Sequence, residues 1–485
     1  MLLNLRDTGG PLYRRVYLAL KGKIRDGGLG PAARVPSTRA LARDLRVSRN
    51  TVLLAYEQLA AEGYLVSRHR GATSVAAVSP TRPSPAAARL APERPAPVSA
   101  YARRLTERLD PAPSEAPSGP RAVIRYDFRY GRPAVDEFPR EIWRRLLAAH
   151  ARKTSTDALG YGSPAGHGPL RAALSAYLGR ARGVVSDPSR IVVVNGTQQA
   201  LDLIARVLLD PGDGAVVEEP HYPGATIPFE AVGARLLRVP VDAEGLDPAQ
   251  LPSAARRPRL AYVTPCHQFP SGVILPLERR LALLRWASRV GAWVVEDDYV
   301  SEFRYEGHPL EALQSLDRDE RVLYMGSFSK TLFPALRVGY LVLPRALVRP
   351  FLAAKWVADR FSATLYQEAL AELITSGQFE RYLRRAGARN AGRRRALIAA
   401  LRECFGSRAE IAGENTGVHL VVWLNDVRPR ELNALVARAA RAGVGVYSVA
   451  PYYAQPPRRA GLLFGYAALT EGEIRAGTRR LAQLL

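Results

Sequence analysis

Leu12, Val16, Leu20 and Ile24 recur every fourth residue and draw one apolar stripe along a helix. Gly27–Gly30 and Pro31 end it. After Pro36, Ser37 or Thr38 suits the N-cap of a second helix through Leu41 and Leu45. The turn Arg46-Val47-Ser48 leads to a third helix with Val52, Ala55, Tyr56 and Leu59 facing inward, stopped by Gly63. Tyr64-Leu65-Val66, the loop Ser67–Gly71 and Thr73–Ala76 read as a hairpin. Three helices and a hairpin predict a small α+β winged helix-turn-helix domain over residues 10–78.

Residues 79–120 lose this periodicity. Proline recurs, and the stretch reads as a semi-extended linker with one short helix around Tyr101–Leu109. From residue 121 to 485 the pattern changes again. Ile191–Val194, Ala215–Val217, Leu260–Val263, Trp293–Val295, Val322–Met325 and Val338–Leu343 are short apolar runs separated mostly by helix-period segments. Such alternation predicts an α/β domain around a largely parallel sheet. The tail from about Glu380 mixes helices with strands such as Val418–Trp423, which predicts a smaller α+β lobe.

Composition narrows the class. The chain has 485 residues, 47% of them hydrophobic and 24% charged, which excludes wholesale disorder. Two cysteines, Cys266 and Cys404, cannot build a disulfide framework or a four-cysteine zinc site. No apolar run reaches the roughly 18 residues that span a bilayer, and the expectation is a cytoplasmic protein without a membrane partner. The net charge of +24 points to an anionic partner, but arginine is abundant everywhere and only five residues are lysine. The distribution says more: residues 1–78 carry a net +8, the other 407 a net +16. Positive charge is densest in the small domain.

That domain carries reading chemistry. Ser37 and Arg39 open the second helix, and Ser48, Arg49, Asn50 and Thr51 open the third. A third helix offering those groups outward can enter the major groove of double-stranded DNA, where arginine favours guanine edges and hydroxyls and the helix N-terminus bind phosphate. Arg68, His69 and Arg70 at the hairpin tip would reach the backbone or minor groove. Leu12–Ala76, with Pro36-Ser37-Thr38-Arg39-Ala40-Leu41-Ala42 and Val47-Ser48-Arg49-Asn50-Thr51-Val52, resembles the winged-helix domain of the GntR family. It departs from that pattern at Ala33 and in the wing, Arg70-Gly71-Ala72-Thr73.

In the large domain, Gly326-Ser327-Phe328-Ser329-Lys330 follows a strand and precedes Arg337. A lysine there suits a Schiff base to a phosphate-bearing aldehyde cofactor, with Ser327 and Arg337 on the phosphate. A lone Ser-x-Ser-Lys describes many surface lysines, so the weight comes from three further segments. Val194-Asn195-Gly196-Thr197 turns from strand to helix and can hold a phosphate at the helix N-terminus. Glu296-Asp297-Asp298-Tyr299 puts carboxylates at a strand's C-terminal end, where one facing a pyridine nitrogen makes the ring an electron sink. Thr264-Pro265-Cys266-His267-Gln268-Phe269-Pro270-Ser271-Gly272 is a compact polar loop after a strand.

Together with Tyr161-Gly162-Ser163-Pro164-Ala165-Gly166 and Tyr222, these segments resemble the fold-type I aminotransferases that use pyridoxal 5′-phosphate. The resemblance implies Lys330 as the Schiff-base residue and Asp297 on the pyridine nitrogen, with the adjacent Asp298 one register away. It implies Tyr299 on the phenolic oxygen, Tyr222 stacked on the ring, and Gly196, Thr197, Ser327 and Arg337 on the phosphate. Tyr161 would reach across from a partner subunit. The family's Asn-Pro-Thr-Gly loop reads Phe269-Pro270-Ser271-Gly272, so His267 or Gln268 stands for the asparagine. A GntR-type winged helix, a proline-rich linker and an aminotransferase-like domain in one chain resemble the MocR subfamily of regulators. That resemblance implies a head-to-tail homodimer in which a small amino effector, or pyridoxal phosphate itself, controls DNA binding. The alternative is an active aminotransferase with an accessory DNA-binding domain. Aminotransferases carry a carboxylate-binding arginine on a C-terminal strand, where this chain has Leu463, with Arg458 and Arg459 just upstream. Its absence predicts slow turnover.

Overall fold

The computed structural model describes residues 10–67, 73–77, 97–109, 124–153, 159–307 and 310–485. They fall into two compact units, 1–97 and 98–485.

The small unit follows the apolar pattern. Helices α1 (Leu12–Arg25), α2 (Thr38–Leu45) and α3 (Arg49–Ala61) precede a hairpin of β1 (Leu65–Ser67) and β2 (Thr73–Val75). Val16, Leu20, Ile24, Leu41, Val52, Leu59 and Val75 meet in one core. Ser37 caps α2 by accepting the Ala40 N–H at 3.2 Å, and Ser48 caps α3 by accepting the Thr51 N–H at 3.1 Å. Arg46 takes the left-handed conformation (φ +53°) that the tight turn between α2 and α3 needs. Arg68 and Arg70 lie outside the described residues.

The large unit begins earlier than the strand pattern suggests. Helix α4 (Ala100–Leu109) falls in the stretch read as linker, yet it belongs to this unit. Arg104 donates to the Ala231 carbonyl at 2.9 Å, and Arg108 pairs with Glu230 at 2.7 Å. After β3 (Tyr126–Asp127) come α5 (Arg140–Lys153) and α6 (Gly168–Arg182). Then β4 (Ile191–Val194), α7 (Thr197–Leu208), β5 (Gly214–Glu219), α8 (Pro223–Ala231), β6 (Arg235–Asp242) and β7 (Gly245–Leu246) follow. Next are β8 (Pro258–Val263), α9 (Leu277–Val290), β9 (Trp293–Asp298), β10 (Val322–Ser327) and β11 (Gly339–Val342).

These strands form one eight-stranded sheet in the order β4-β11-β10-β9-β8-β5-β6-β7. β11 is antiparallel to both neighbours and β7 is antiparallel to β6; the other pairings are parallel. Both faces of its centre are covered, so strands such as β4 and β11 are buried along their whole length. Ile191 and Val193 pack on one side with α6, while Val192 and Val194 pack on the other with α7. β4, β10, β9, β8 and β5 all end at one edge, the place where open α/β sheets bind ligands.

Helices α10 (Arg345–Asp359), α11 (Thr364–Thr375) and the 28-residue α12 (Gln378–Phe405) lead to the smaller lobe. It holds β12 (Ala409–Ala412), β13 (His419–Leu424), α13 (Leu432–Arg441), β14 (Val444–Gly445), β15 (Tyr447–Ser448), β16 (Ala460–Gly465) and α14 (Glu471–Ala482). β12-β13-β16-β15 make an antiparallel sheet, and β14 pairs with β3. Among the described residues no helix is long and apolar enough to cross a membrane.

Candidate functional sites

The C-terminal edge of the large sheet opens into a cavity of about 540 Å³. It gathers seven of the residues expected there: Lys330, Asp297, Tyr299, Tyr222, Thr197, Ser327 and Arg337. Lys330 follows the end of β10, and its Nζ donates to the Gly131 carbonyl at 3.0 Å. Burial pulls its pKa below the ordinary lysine value, against the attraction of Asp297. A larger neutral fraction is what a nucleophilic amine needs.

Pleat alternation decides between the two aspartates. Asp297 lines the cavity and accepts the Tyr262 hydroxyl at 2.6 Å. Burial pushes its pKa up to about 7, opposed by that hydrogen bond. Asp298 points away from the cavity. It bonds Arg182 at 2.8 Å, the Tyr324 hydroxyl at 2.6 Å and the Ser301 hydroxyl at 2.7 Å. Burial would raise Asp298, but the Arg182 guanidinium holds it below the usual carboxylate range.

At one end, Thr197 starts α7, so unpaired N–H groups of a 12-residue helix face the cavity beside its hydroxyl. Ser327, Ser329 and Arg337 complete this end, and Arg337 Nη2 donates to the Asn195 carbonyl at 2.8 Å. Gly196 has φ +86°, and a Cβ there would stand 2.7 Å from Arg337 Nη2. Only glycine leaves the guanidinium its place.

One expectation fails on geometry. His267 does not line the cavity. Its Nδ1 meets the Thr416 hydroxyl at 2.6 Å, its ring packs on His419, and its own carbonyl accepts the Tyr299 hydroxyl at 3.0 Å. Gln268 holds the loop instead, with Nε2 donating to the carbonyls of Pro220 and Phe269 at 2.7 Å each. The loop thus offers Phe269 to the cavity. His419, from the start of β13, lines it too, and burial drops its pKa to about 4, so it is neutral. Tyr161, expected to act in a partner subunit's site, is 84% exposed and lies outside this chain's cavity, with Arg360 over its ring. Arg459 pairs with Glu410 at 2.5 Å and Arg458 is exposed; neither lines the cavity.

Sequence reasoning missed Arg129, Tyr130, Gly131, Tyr262, His419 and Tyr447, all of which line the cavity, while Thr264 enters it from the polar loop already singled out. The first three come from a segment without motif, and His419 and Tyr447 from the small lobe. Tyr262 alone had a signal, a polar tip in an otherwise apolar strand.

In the small unit Ser37, Arg39, Ser48, Arg49 and Asn50 are exposed and Thr51 is half-buried. The Ser48 hydroxyl already meets that of Thr51 at 2.8 Å, so its first task is capping.

Comparison with known proteins separates the two halves. Residues 12–75 match the model for bacterial regulatory proteins of the gntR family, and residues 134–481 match aminotransferase class I and II. Over 99% of this chain and 95% of the relative, it is 38% identical to the probable rhizopine catabolism regulatory protein MocR of Rhizobium meliloti. The chain belongs to the MocR-type regulators of the gntR family. A second relative, the HTH-type transcriptional regulator TauR of Rhodobacter capsulatus, is 33% identical over 98% of this chain and 97% of its own. Among solved structures, the α-aminoadipate aminotransferase LysN of Thermus thermophilus, complexed with N-(5′-phosphopyridoxyl)-L-leucine, is similar with a TM-score of 0.68. It is 32% identical and covers 74% of this chain and 92% of its own. Membership implies a transcriptional regulator with a DNA-binding helix-turn-helix and pyridoxal 5′-phosphate as the cofactor of the aminotransferase-like domain.

Proposed function

We propose that this chain is a cytoplasmic regulator in which the large unit senses a small amino compound, or pyridoxal phosphate itself, and the small unit binds an operator accordingly. The observation that carries this reading is the convergence of Lys330, Asp297 and the Thr197–Ser327–Arg337 end in one cavity of a chain that also holds a capped α3 opening on an exposed Arg49. The donor set fits the cofactor: hydroxyls, a guanidinium and helix N–H groups suit a phosphate, and a buried carboxylate suits a pyridine nitrogen. When bound, the cofactor supplies an aldehyde that takes up primary amines and a ring that withdraws electrons. In this proposal Lys330 provides the anchoring amine, Tyr222 covers one face and Tyr299 closes the site through the His267 carbonyl. Tyr161 completes the site of the other subunit in a head-to-tail dimer.

Regulation needs two arrangements that bind the effector unequally, since only a difference in affinity shifts the DNA-binding equilibrium. Leu463 in place of an arginine supports sensing over turnover, because β16, the strand from which aminotransferases align the carboxylate, offers no cation here. Leu463 is fully buried on β16, and neither upstream arginine refills its position.

The test is DNA binding. Arg49→Ala is expected to cost about 1–3 kcal/mol on a specific duplex if Arg49 reads a base edge. Affinity is also expected to fall steeply with salt through counterion release. A double variant, Arg39→Ala with Arg49→Ala, that binds a selected duplex as tightly as the unsubstituted protein would remove α3 from the reading role.

A further inference from the structure

Two arginines are among the residues that line the cavity. Arg337 stands with the hydroxyls at the phosphate end. Arg129 is the other, and nothing in the proposed cofactor site uses it. Its segment is close to the reacting end, because the carbonyl of Gly131, two residues on, accepts Lys330 Nζ at 3.0 Å. Two residues of extended chain span at most about 7 Å.

The Arg129 side chain is held but not consumed. Its Nε donates to the Tyr447 hydroxyl at 2.9 Å, and its guanidinium carbon lies 5.1 Å from the centre of that ring. Tyr447 in turn donates to Asp127 at 2.7 Å. Asp127 is the facing acid, 3.8 Å from Arg129 Nε, but Arg132 Nη1 binds it more closely at 2.9 Å. Neither outer nitrogen of Arg129 makes a hydrogen bond among the described residues. A guanidinium fixed through Nε, with both outer N–H groups free, presents the geometry that holds a carboxylate.

The surrounding strands fix the segment that carries this half-exposed side chain. Tyr447 pairs with Leu463 across the β15–β16 ladder. Leu463 and Gly465 share a face of β16. A Cβ on Gly465 would stand 2.5 Å from the Arg129 carbonyl oxygen and 2.6 Å from the Tyr130 Cα. The apolar face of β16 therefore looks onto the Arg129–Tyr130 backbone. Tyr130, Phe269 and Tyr222 line the cavity with it and offer apolar walls but no cation.

We infer that Arg129, oriented by Tyr447, is the specificity residue that reads an anionic group on the effector, and that the effector is a primary amine bearing a carboxylate. This rests on the reading of Lys330 as the cofactor-anchoring amine. An effector of this class satisfies both ends of the cavity, its amine at the cofactor and its carboxylate at Arg129.

The experiment follows the visible band of the cofactor-loaded, full-length protein during titration with matched pairs, alanine against ethylamine and β-alanine against propylamine. For at least one pair, the carboxylated member is expected to half-saturate at a concentration at least about tenfold lower. In Arg129→Gln that advantage disappears while the band before titration and the response to the plain amine stay as they were. In Tyr447→Phe, which releases Arg129 Nε, the advantage shrinks. Equal half-saturation within every pair on the unsubstituted protein overturns the inference without any variant having to fold. So does a full carboxylate preference retained by Arg129→Gln. A protein that shows no cofactor band, or none that any amine changes, overturns the cofactor reading and the inference with it.

Discussion

Lys330→Ala is expected to abolish covalent capture of the cofactor. The unsubstituted protein should be yellow with bound pyridoxal phosphate, and borohydride should fix the cofactor onto Lys330 alone. The chain has five lysines, so peptide mapping gives an unambiguous answer. Lys355 is the informative control. It too is buried, but its ammonium is committed to Asp359 at 2.6 Å and Ser362 at 3.1 Å. Lys330 makes one hydrogen bond to a backbone carbonyl and has its pKa lowered by burial. The variant is expected to fold, since Asp297, the buried acid facing this amine, keeps its hydrogen bond from the Tyr262 hydroxyl at 2.6 Å. A reduced adduct found on Lys355 or Lys153 instead would overturn the assignment.

Arg182→Leu is expected to destabilise the large unit by about 3–5 kcal/mol, because it strands Asp298 as an unpaired charge in the interior. Both side chains are almost wholly buried, 4% and 2% exposed, and Arg182 meets Asp298 through Nε at 2.9 Å and Nη2 at 2.8 Å. The check is the denaturant midpoint at unchanged slope. Adding Asp298→Leu to Arg182→Leu should recover most of the loss, because a paired charge replaced by apolar groups costs little. A single variant as stable as the unsubstituted protein would mean that Asp298 is held by Tyr324 and Ser301 alone.

The pair also shows what could be read from the chain and what could not. The strand Trp293–Val295 and the carboxylates at its end were legible because a short apolar run that stops at acids marks a buried strand reaching a sheet's edge. Which aspartate enters the cavity was not. Both faces of this sheet are covered, so no polar face marks the outside, and the answer came from Arg182 on α6, over a hundred residues away in sequence. The His267 expectation failed for a related reason. Its loop is compact and polar, but the turn sends Phe269 inward and leaves His267 behind His419, which arrives from β13. Arg129 carried no local signal at all, since its role depends on Tyr447 and Leu463 pairing across a ladder in the other lobe. In the small unit every element followed from local periodicity and two serine caps, with no long-range information needed.

In the proposed regulator, chemistry at Lys330 controls DNA binding by α3. The most direct measurement of this control is the affinity of the cofactor-loaded protein for a duplex selected from a random pool, with and without an amine that changes the visible band. The amine is expected to move the dissociation constant by about fivefold or more in the unsubstituted protein, the lower end of ordinary allosteric coupling, and to leave it unmoved in Lys330→Ala. Identical dissociation constants with and without every such amine in the unsubstituted protein, or an equal shift in Lys330→Ala, would contradict it.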